Sequence, residues 1–315
     1  MKSVKTIFFL ASFIALATSA SAAINIQTSF VGDAGNDTDT TSYGGVSYGY
    51  HIGTYEVTNS QYVAFLNAKG STDSNNLYHT NMSSRGISRA NSSGSYSYSV
   101  NNDFGDKPVD FVSFWDAARF SNWLTNGQGS GDTENGVYDL TNETAIGNNT
   151  VTRNATAWNA NGVAIASEDE WYKAAYYKGG STTAGYWDFP NESDSITTDD
   201  ANYGLSVRTV TDVGAYSGDA SHYGTFDQGG NVWEWNDAIL FTSDRGLRGG
   251  SFNSFDASFL QSSDRFNTNP SSEFDTIGFR VSSLAPIPEP SAYAAILGCL
   301  ALAIAIVRRK GRGTL

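Results

Sequence analysis

The side chains best suited to nucleophilic, redox or metal chemistry are scarce in this chain. It contains one cysteine, Cys299, and three histidines, His51, His79 and His222, which lie in distant segments. Because Cys299 lies in an apolar stretch near the C-terminus, the rest of the chain has no thiol nucleophile, no cysteine metal ligand and no possible disulfide. The histidines lack the spacing of a zinc or iron site and favour ordinary core or surface roles, although distant histidines can still converge in a fold.

Other familiar catalytic motifs are absent as well. The sequence has no nucleophile elbow, no zincin helix and no glycine-rich phosphate loop between a strand and a helix. Its ionisable side chains are mostly acidic, with 32 Asp and Glu against 19 Lys and Arg and a net charge of −13. Such a surface repels phosphate backbones, so we expect no nucleic-acid partner. It suits divalent cations, or simply solubility outside the cell.

One triplet is similar to a carbohydrate motif. Trp235-Asn236-Asp237 has the letters of the WND triplet of carbohydrate-binding C-type lectins. Three residues recur by chance, and the chain has neither the Glu-Pro-Asn nor the Gln-Pro-Asp motif that would complete such a sugar site. The sequence therefore does not favour sugar coordination by this triplet, whereas a groove lined by tryptophan and tyrosine could still stack against the face of a sugar.

Three helices are predicted in the part of the chain before the WND triplet. Each begins at a capping side chain and ends near a glycine. They start at Thr58 or Asn59, at Ser113 and at Ser167, and they end at Gly70, at 126–127 and at 179–180, respectively. The third start has the pattern of a capping box, with Glu170 three residues after Ser167. Apolar side chains recur along one face of each helix, which favours a role in the core over a role in a ligand groove.

Short strands are predicted within residues 46–57, 247–252 and 277–282, and the Gly- and Asn-rich stretches 71–99 and 127–161 are typical of surface loops. No internal repeat or linker divides the region between the two ends of the chain. This favours one α+β domain that spends much of its length in ordered loops. Bound calcium is one way to order such loops.

A series of motifs in a fixed order resembles one family. The motifs are GTYEVTN at 53–59, KPV and SFWD within 107–116, ASEDEW at 166–171, GGNVWEW at 229–235, RGGSF at 248–252 and GFR at 278–280. Together they resemble the formylglycine-generating-enzyme domain, also called the sulfatase-modifying factor domain, over about residues 44–283. The resemblance implies an α+β fold, the C-type-lectin-like fold of that family, with little regular secondary structure.

Active members of the family oxidise a cysteine of a client sulfatase, using two cysteines that bind copper in the segment after Gly-Gly-Ser. In this chain the corresponding residues 251–264 include serine and phenylalanine but no cysteine. A hydroxyl is much less acidic than a thiol and binds soft copper poorly, so neither formylglycine formation nor a copper site is expected. A related branch binds non-haem iron through histidines, and this leaves a metal-dependent oxidase as an alternative.

The resemblance also implies calcium, bound by the loop just before and within the GGNVWEW motif through a side-chain oxygen and backbone carbonyls. A second family site uses an asparagine and a later acidic residue, for which the next loop offers no obvious candidate. The predicted calcium ligands are Asp227, Gln228, Gly230, Val232, Glu234 and, for the second site, Asn202. The alternative is that the two carboxylates of the loop only cap turns.

A ligand groove is expected beside residues 248–264, because this segment shapes the active-site region of the family it resembles. The residues expected to line it are Trp233, Arg248, Ser251, Asn253 and Arg265. A structural role for Arg248 and its neighbour Gly249 is the alternative that the sequence leaves open. Copper is not expected in this groove.

The N-terminus has the pattern of a secretory signal peptide. Lys2 and Lys5 precede the apolar run 7–17, and small residues follow at 20–22 in the positions that signal peptidase reads. The run is much shorter than the ~20 residues of a membrane-spanning helix. Residues 1–22 are therefore predicted to be removed by signal peptidase as the protein is exported.

The C-terminus has a different pattern with three parts. Pro288, Glu289 and Pro290 stand before the apolar stretch 292–307, and a basic cluster follows. By the positive-inside rule this predicts a transmembrane helix with a cytoplasmic tail. The order resembles the PEP-CTERM sorting signal of Gram-negative bacteria that make extracellular polysaccharide, in which the membrane protease exosortase removes the helix. A permanent single-span anchor is the alternative.

Four segments are thus predicted: a signal peptide at 1–22, an N-terminal extension at 23–43, the domain at 44–283 and the sorting signal at 284–315. We expect an exported, non-catalytic protein that binds a ligand at the outer cell surface or in the polysaccharide matrix. A carbohydrate is one candidate for this ligand. Two alternatives stay open. One is a metal-dependent oxidase with histidine and carboxylate ligands, and the other is a matrix protein whose acidic surface is cross-linked by calcium.

Overall fold

The computed structural model describes residues 23–287; the predicted signal peptide and the sorting motif at Pro288, Glu289 and Pro290 lie outside these residues. The helices are α1 (Asn59–Lys69), α2 (Phe114–Thr125), α3 (Glu143–Gly147), α4 (Ala155–Asn159) and α5 (Glu168–Tyr176). The strands are β1 (Thr28–Val31), β2 (Tyr50–Gly53), β3 (Ile87–Ala90), β4 (Ser97–Val100), β5 (Ala164–Ile165), β6 (Trp233–Leu240), β7 (Asp244–Arg248), β8 (Phe266–Thr268), β9 (Ile277–Phe279) and β10 (Val281–Ser283). This mixture confirms the predicted α+β class. None of the helices within residues 23–287 is long and apolar enough to cross a bilayer.

Capping boxes confirm where the three predicted helices begin. Thr58, Ser113 and Ser167 each accept a hydrogen bond from the backbone N–H three residues later, and the side chain found there accepts one from the N–H of the cap. Each box satisfies two backbone donors near the start of its helix. The ends of α1 and α2, at Gly70 and Asn126, also agree with the prediction.

Helix α5 ends earlier than predicted. Its last helical residue is Tyr176, and Tyr177 already has an extended backbone with φ −69° and ψ 134°. Tyr177 pairs with Tyr186 in an antiparallel bridge, and their rings pack with centroids 4.9 Å apart. This tertiary pairing ends the helix before Gly179, so the two glycines lie in the loop that follows the helix.

Two four-stranded sheets organise the fold. The first has the order β1-β2-β10-β5 with antiparallel neighbours, and the second has the order β8-β7-β6-β9, in which β6 and β9 run parallel. Strands β9 and β10 are separated by one residue, Arg280, so the chain passes there directly from the second sheet to the first. The two sheets are therefore joined at Arg280.

The segment 23–43 packs against the rest of the domain. It contributes β1 to the edge of the first sheet, where Val31 is fully buried. Lys173 of α5 donates hydrogen bonds to the backbone oxygens of Gly32, at 2.6 Å, and of Asp33, at 3.0 Å. Strand pairing and these bonds hold the segment on the folded unit.

The main core lies between α1, α2 and the second sheet. It is built from rings whose centroids are 5.3 to 6.1 Å apart, contributed by Tyr62, Phe65, Phe120, Trp123 and Phe279. All five side chains are at most 1% exposed. The apolar faces of α1 and α2 are therefore core, as predicted, and the sites available to a ligand lie elsewhere.

Candidate functional site

Four aromatic side chains form a continuous row on the surface, at the end of the second sheet where β6 and β8 begin. The order of the rings is Phe255, Phe259, Trp233 and Phe266, with successive centroids 5.0, 6.3 and 5.6 Å apart. Phe255 is 78% exposed and Phe266 is 52% exposed, while the two rings between them are partly buried. An exposed apolar cluster of this kind is typical of a binding surface. We call these four residues the aromatic row.

The second sheet and a short 3₁₀ helix hold the aromatic row in place. Trp233 is the first residue of β6 and Phe266 is the first residue of β8, two strands that run in the same direction on either side of β7. Phe259 belongs to the 3₁₀ helix Ala257–Leu260. Leu260 is fully buried, and its backbone oxygen accepts a 3.0 Å hydrogen bond from the hydroxyl of Tyr176. The row therefore stands on a rigid base.

Arg248, which was predicted to line the groove, lies inside the protein. Its side chain is 1% exposed, and its guanidinium donates to Glu168 at 2.8 and 3.0 Å. It also donates to the backbone oxygens of Ser262, at 2.9 Å, and Asp264, at 2.5 Å. The ring of Tyr43 covers it at 4.6 Å. Arg248 therefore ties the loop after Gly-Gly-Ser to α5 from within, which is the structural alternative that the sequence left open.

The other predicted groove residues lie closer to the surface, with one exception. Ser251 is fully buried, and its hydroxyl donates to Oδ1 of Asn253 at 2.8 Å. Asn253 itself is exposed, two residues before the first ring of the row. Arg265 directly precedes the last ring and keeps 27% of its side chain exposed while it pairs with Glu168. Trp233, Asn253 and Arg265 thus remain the predicted contacts that belong to the aromatic row or adjoin it in sequence.

Glu234, a predicted calcium ligand, takes part in a buried ion pair. It accepts hydrogen bonds from Arg280 at 2.5 and 2.6 Å and from the indole N–H of Trp171 at 2.8 Å. Arg280 also donates to the backbone oxygens of Gly53, at 3.0 Å, and Phe226, at 2.9 Å. Because the guanidinium already supplies the positive charge beside this carboxylate, Glu234 does not fit the role of a calcium ligand.

Asp227, the other predicted carboxylate ligand, lies near the carboxylates of Glu56 and Glu234. It accepts a 2.5 Å hydrogen bond from the backbone N–H of Gly214, and its negative charge acts on the carboxylate of Glu56. Loss of contact with water raises the pKa of Asp227 to about 6. Burial, together with the negative charges of Asp227 and Glu234, raises the pKa of Glu56 well above its usual range. With Arg280 as the cation among three carboxylates, this group favours one further positive charge, either a proton or a metal ion.

Asn231 links Glu56 to Asn202, the ligand predicted for the second calcium site. The amide of Asn231 donates to Oε1 of Glu56 at 3.1 Å, and its oxygen accepts from the amide of Asn202 at 3.3 Å. Among the residues described, Oε2 of Glu56 and Oδ1 of Asn202 are buried without a hydrogen-bond partner. Unpaired buried oxygens are costly, so they indicate a place for a cation or a water molecule. Sequence reasoning missed Glu56, although it lies in the GTYEVTN motif.

The oxygen atoms around Asp227 are of the kind that calcium binds. Asp227 and Glu56 offer carboxylates, Asn202 offers an amide oxygen, and a cavity of about 10 Å³ beside Asp227 and Gln228 has room for one water-sized particle. No three His, Cys, Asp or Glu side chains within residues 23–287 are placed to hold a metal ion together. The residues therefore fit calcium only if amide and backbone oxygens complete the set.

The three predicted carbonyl ligands, Gln228, Gly230 and Val232, are all buried in the same loop. The side chain of Gln228 accepts from Thr225 at 2.5 Å and donates to the backbone oxygen of Trp171 at 3.0 Å. Its amide is thus engaged within the protein, which leaves the backbone as the part of Gln228 that a cation could contact. The loop geometry comes from these internal bonds.

The histidines lie in separate surroundings. His51 stands on β2, where burial lowers its pKa. His79 caps a 3₁₀ helix and stacks on Phe111 with centroids 5.0 Å apart, and Nδ1 of His222 lies 3.4 Å from Glu192. Each histidine therefore has its own local partners within the described chain, as expected for core and surface roles.

The WND triplet belongs to the interior of the fold. Trp235 and Asn236 are fully buried on β6, and the indole N–H of Trp235 donates to the backbone oxygen of Val112 at 3.0 Å. Asp237 pairs with Arg153 at 2.8 Å. The triplet therefore serves the packing of the second sheet.

The fold and the site define a C-type-lectin-like domain of the formylglycine-generating-enzyme type. Residues 32–284 match the family described as the sulfatase-modifying factor enzyme 1-like domain, and the chain belongs to this family. No protein of curated function matches the chain. Membership in the family establishes the fold. The activity of this member has to be inferred from its own residues.

Two solved structures illustrate the similarity of the fold. Treponema denticola variable protein 1 is 19% identical, with a TM-score of 0.53, and the match covers 82% of this chain and 95% of that one. The protein CarF is 20% identical, with a TM-score of 0.54, and the match covers 82% of this chain and 98% of the other. At this level of identity the likeness shows the fold alone.

Proposed function

We propose that this protein is a ligand-binding member of the family that does not generate formylglycine, and that it holds the face of a carbohydrate against the aromatic row. The exposed rings of Phe255 and Phe266 carry this proposal. Flat aromatic faces suit the C–H surface of a sugar, and polar neighbours such as Asn253 supply the hydrogen bonds that orient it. The absence of cysteine from residues 251–264 argues against formylglycine chemistry.

A binding screen of the purified protein against glycans and bacterial exopolysaccharides, in calcium and again in EDTA, tests the proposal. The key variant is Phe255→Ala, and Phe274→Ala is the matched control, because Phe274 is 52% exposed and lies outside the aromatic row. We expect Phe255→Ala to weaken glycan binding by about tenfold, the loss of one stacked ring, and Phe274→Ala to leave it unchanged. A screen without binding, or equal effects of the two variants, would reject the proposal.

We also propose that calcium stabilises the loop that carries Asp227. The support is chemical: Asp227 and Gln228 line a water-sized cavity, and Glu56 and Asn202, which are linked through Asn231, each have a buried oxygen atom with no hydrogen-bond partner in the described chain. The cation would supply the positive charge that the raised pKa values of Asp227 and Glu56 favour. Removal of calcium by EDTA is therefore expected to lower the melting temperature.

We propose that the protein works outside the cytoplasm, at the outer cell surface or in the extracellular matrix. This rests on the signal pattern of residues 1–22 and on the order of motif, apolar stretch and basic cluster after Pro288. Replacing Pro288, Glu289 and Pro290 by alanine is expected to keep the chain in the inner-membrane fraction. Unchanged delivery of this variant to the surface or medium would contradict sorting through the motif.

A further inference from the structure

A cleft of about 510 Å³ opens at the other end of the second sheet from the aromatic row. Strands β6 and β8 begin at the row and lead to the cleft, where Thr242 and Ser243 follow β6 and Asn269 and Pro270 follow β8. The turn after α3 forms the third wall, and Trp115 of α2 contributes to the floor. The cleft is therefore a surface separate from the proposed carbohydrate row.

The lining of this cleft is uncharged. Among the residues that line it, all in the described part of the chain, none has an ionisable side chain. Its polar groups are amides and hydroxyls, contributed by Asn148, Asn149, Thr242, Ser243, Asn269 and Ser271. In a chain with a net charge of −13, an uncharged cleft large enough for a small molecule favours a neutral ligand rich in hydroxyl groups over an ion.

The walls of the cleft are held in place from below. The side chain of Asn149 accepts a 2.6 Å hydrogen bond from Nε of Arg245 and donates a 3.0 Å bond to the backbone oxygen of Asp244. The guanidinium of Arg245 also lies over the ring of Trp115 at 5.7 Å. On the other side, the buried Pro270 accepts a 2.9 Å bond from the first N–H of α2. The cleft is thus preformed, which lowers the entropic cost of binding.

The rim of the cleft has an unusual turn between β6 and β7. The N–H of Ser243 bonds to the oxygen of Leu240 at 3.2 Å, and the two central residues, Phe241 and Thr242, have φ angles of 49° and 65°. Such turns normally use Asn-Gly, because positive φ is unfavourable for bulky and β-branched residues. Phe241 is nevertheless 81% exposed. An exposed ring kept on a strained tip, beside a polar cleft, is an arrangement that binding explains and stability does not.

We propose that this cleft is a second binding site, and that its ligand is an uncharged oligosaccharide. Phe241 stacks on one sugar unit at the rim, and the amide and hydroxyl groups of Asn148, Asn269 and Ser271 bond to the hydroxyl groups of the units inside. The site uses no residue of the aromatic row, so it does not depend on the function proposed for that row.

Titration of the purified protein with cellohexaose, maltohexaose and chitohexaose, followed by NMR, tests the second site, with oligogalacturonate as the acidic comparison. One variant, Phe241→Asn with Thr242→Gly, installs the favoured turn sequence and removes the ring. A second variant, Asn148→Trp, blocks the cleft. Its matched control is Asn159→Trp, at an exposed asparagine that ends α4 away from the cleft lining.

We expect at least one neutral hexaose to bind, and its affinity to fall about tenfold in both cleft variants. Asn159→Trp should leave this affinity unchanged, and the hexaose should shift the NMR signals of the residues that line the cleft, which separates the second site from the aromatic row. The turn variant should also melt at a higher temperature than the unaltered protein, because its new residues accept positive φ. Failure of all three neutral hexaoses to bind, tighter binding of oligogalacturonate, or unchanged affinity in both cleft variants would overturn the proposal.

Discussion

Arg280 and Glu234 form an ion pair that water does not reach: both side chains are 0% exposed, and the guanidinium contacts the two carboxylate oxygens at 2.5 and 2.6 Å. Arg280 lies where the chain passes from β9 to β10, and Glu234 lies on β6. The indole N–H of Trp171 adds a bond from α5. The pair therefore fastens the junction of the two sheets to the helix that packs beside them.

Replacing Arg280 by methionine is expected to cost about 3–5 kcal/mol of unfolding free energy, because it leaves the buried Glu234 without its cation. Urea unfolding at pH 7 measures this loss. The double variant Arg280→Met with Glu234→Leu removes both charges and should recover most of it. If the double variant is no more stable than the single one, the cost does not come from an unpaired charge.

Two arginines that share one carboxylate provide a matched comparison. Arg248 and Arg265 both pair with Glu168, but Arg248 is 1% exposed and Arg265 is 27% exposed. Arg248→Ala is expected to cost about 3–5 kcal/mol, as the loss of a buried partner does, whereas Arg265→Ala should cost about 1 kcal/mol or less, because water screens an exposed pair. Equal losses in urea unfolding would show that burial does not decide the strength of these pairs.

Calcium is expected to raise the melting temperature of the EDTA-treated protein by about 5–10 °C at saturating concentration, since a ligand that binds only the folded state stabilises it. Asp227→Asn should remove most of this rise, because the loop loses a carboxylate ligand. Asp139→Asn is the control, at an exposed aspartate whose oxygen bonds to Thr141. A rise of equal size in the unaltered protein and in both variants would show that calcium binds at a site without Asp227.

Glu273 should make the protein less stable as the pH rises. Burial, followed by the charges of Asp116 and Asp73, raises its pKa from 4.5 to about 7, and its Oε1 has no partner among the described residues. The folded state therefore holds this proton more tightly than the unfolded state, so stability is lost as the pH increases from 4.5 through 7. Glu273→Gln should raise the melting temperature by about 2 °C at pH 8 and not at all at pH 4.

A constant difference between this variant and the unaltered protein at every pH would contradict the prediction, because an effect of titration must vanish where both states are protonated. Glu134→Gln is a suitable comparison, since that carboxylate is bonded to Arg119 at 2.9 and 3.1 Å. Melting scans at pH 4, 6 and 8 distinguish the two behaviours.

The family, the α+β class and the helix starts were predictable because they depend on short stretches of chain. The capping box at Ser167 is complete within four residues, and its side chains bond as the pattern predicts. The order of the glycine- and tryptophan-rich motifs likewise indicated the scaffold before any contact was known. Of the residues predicted to line a groove, Trp233 belongs to the aromatic row, and Asn253 and Arg265 adjoin it in sequence.

The roles of individual charged residues required the tertiary structure. Arg248, Arg265 and Arg280 are alike in sequence, yet their carboxylate partners lie 80, 97 and 46 positions away along the chain. A carboxylate beside such a guanidinium is held in an ion pair, whereas one that lacks it, such as Glu56, is left to a proton or a metal ion. The cleft is also assembled from separate loops at one end of a sheet. Pairing and burial act between residues that are distant in the chain, so local patterns could not predict which acid is neutralised or which surface stays open.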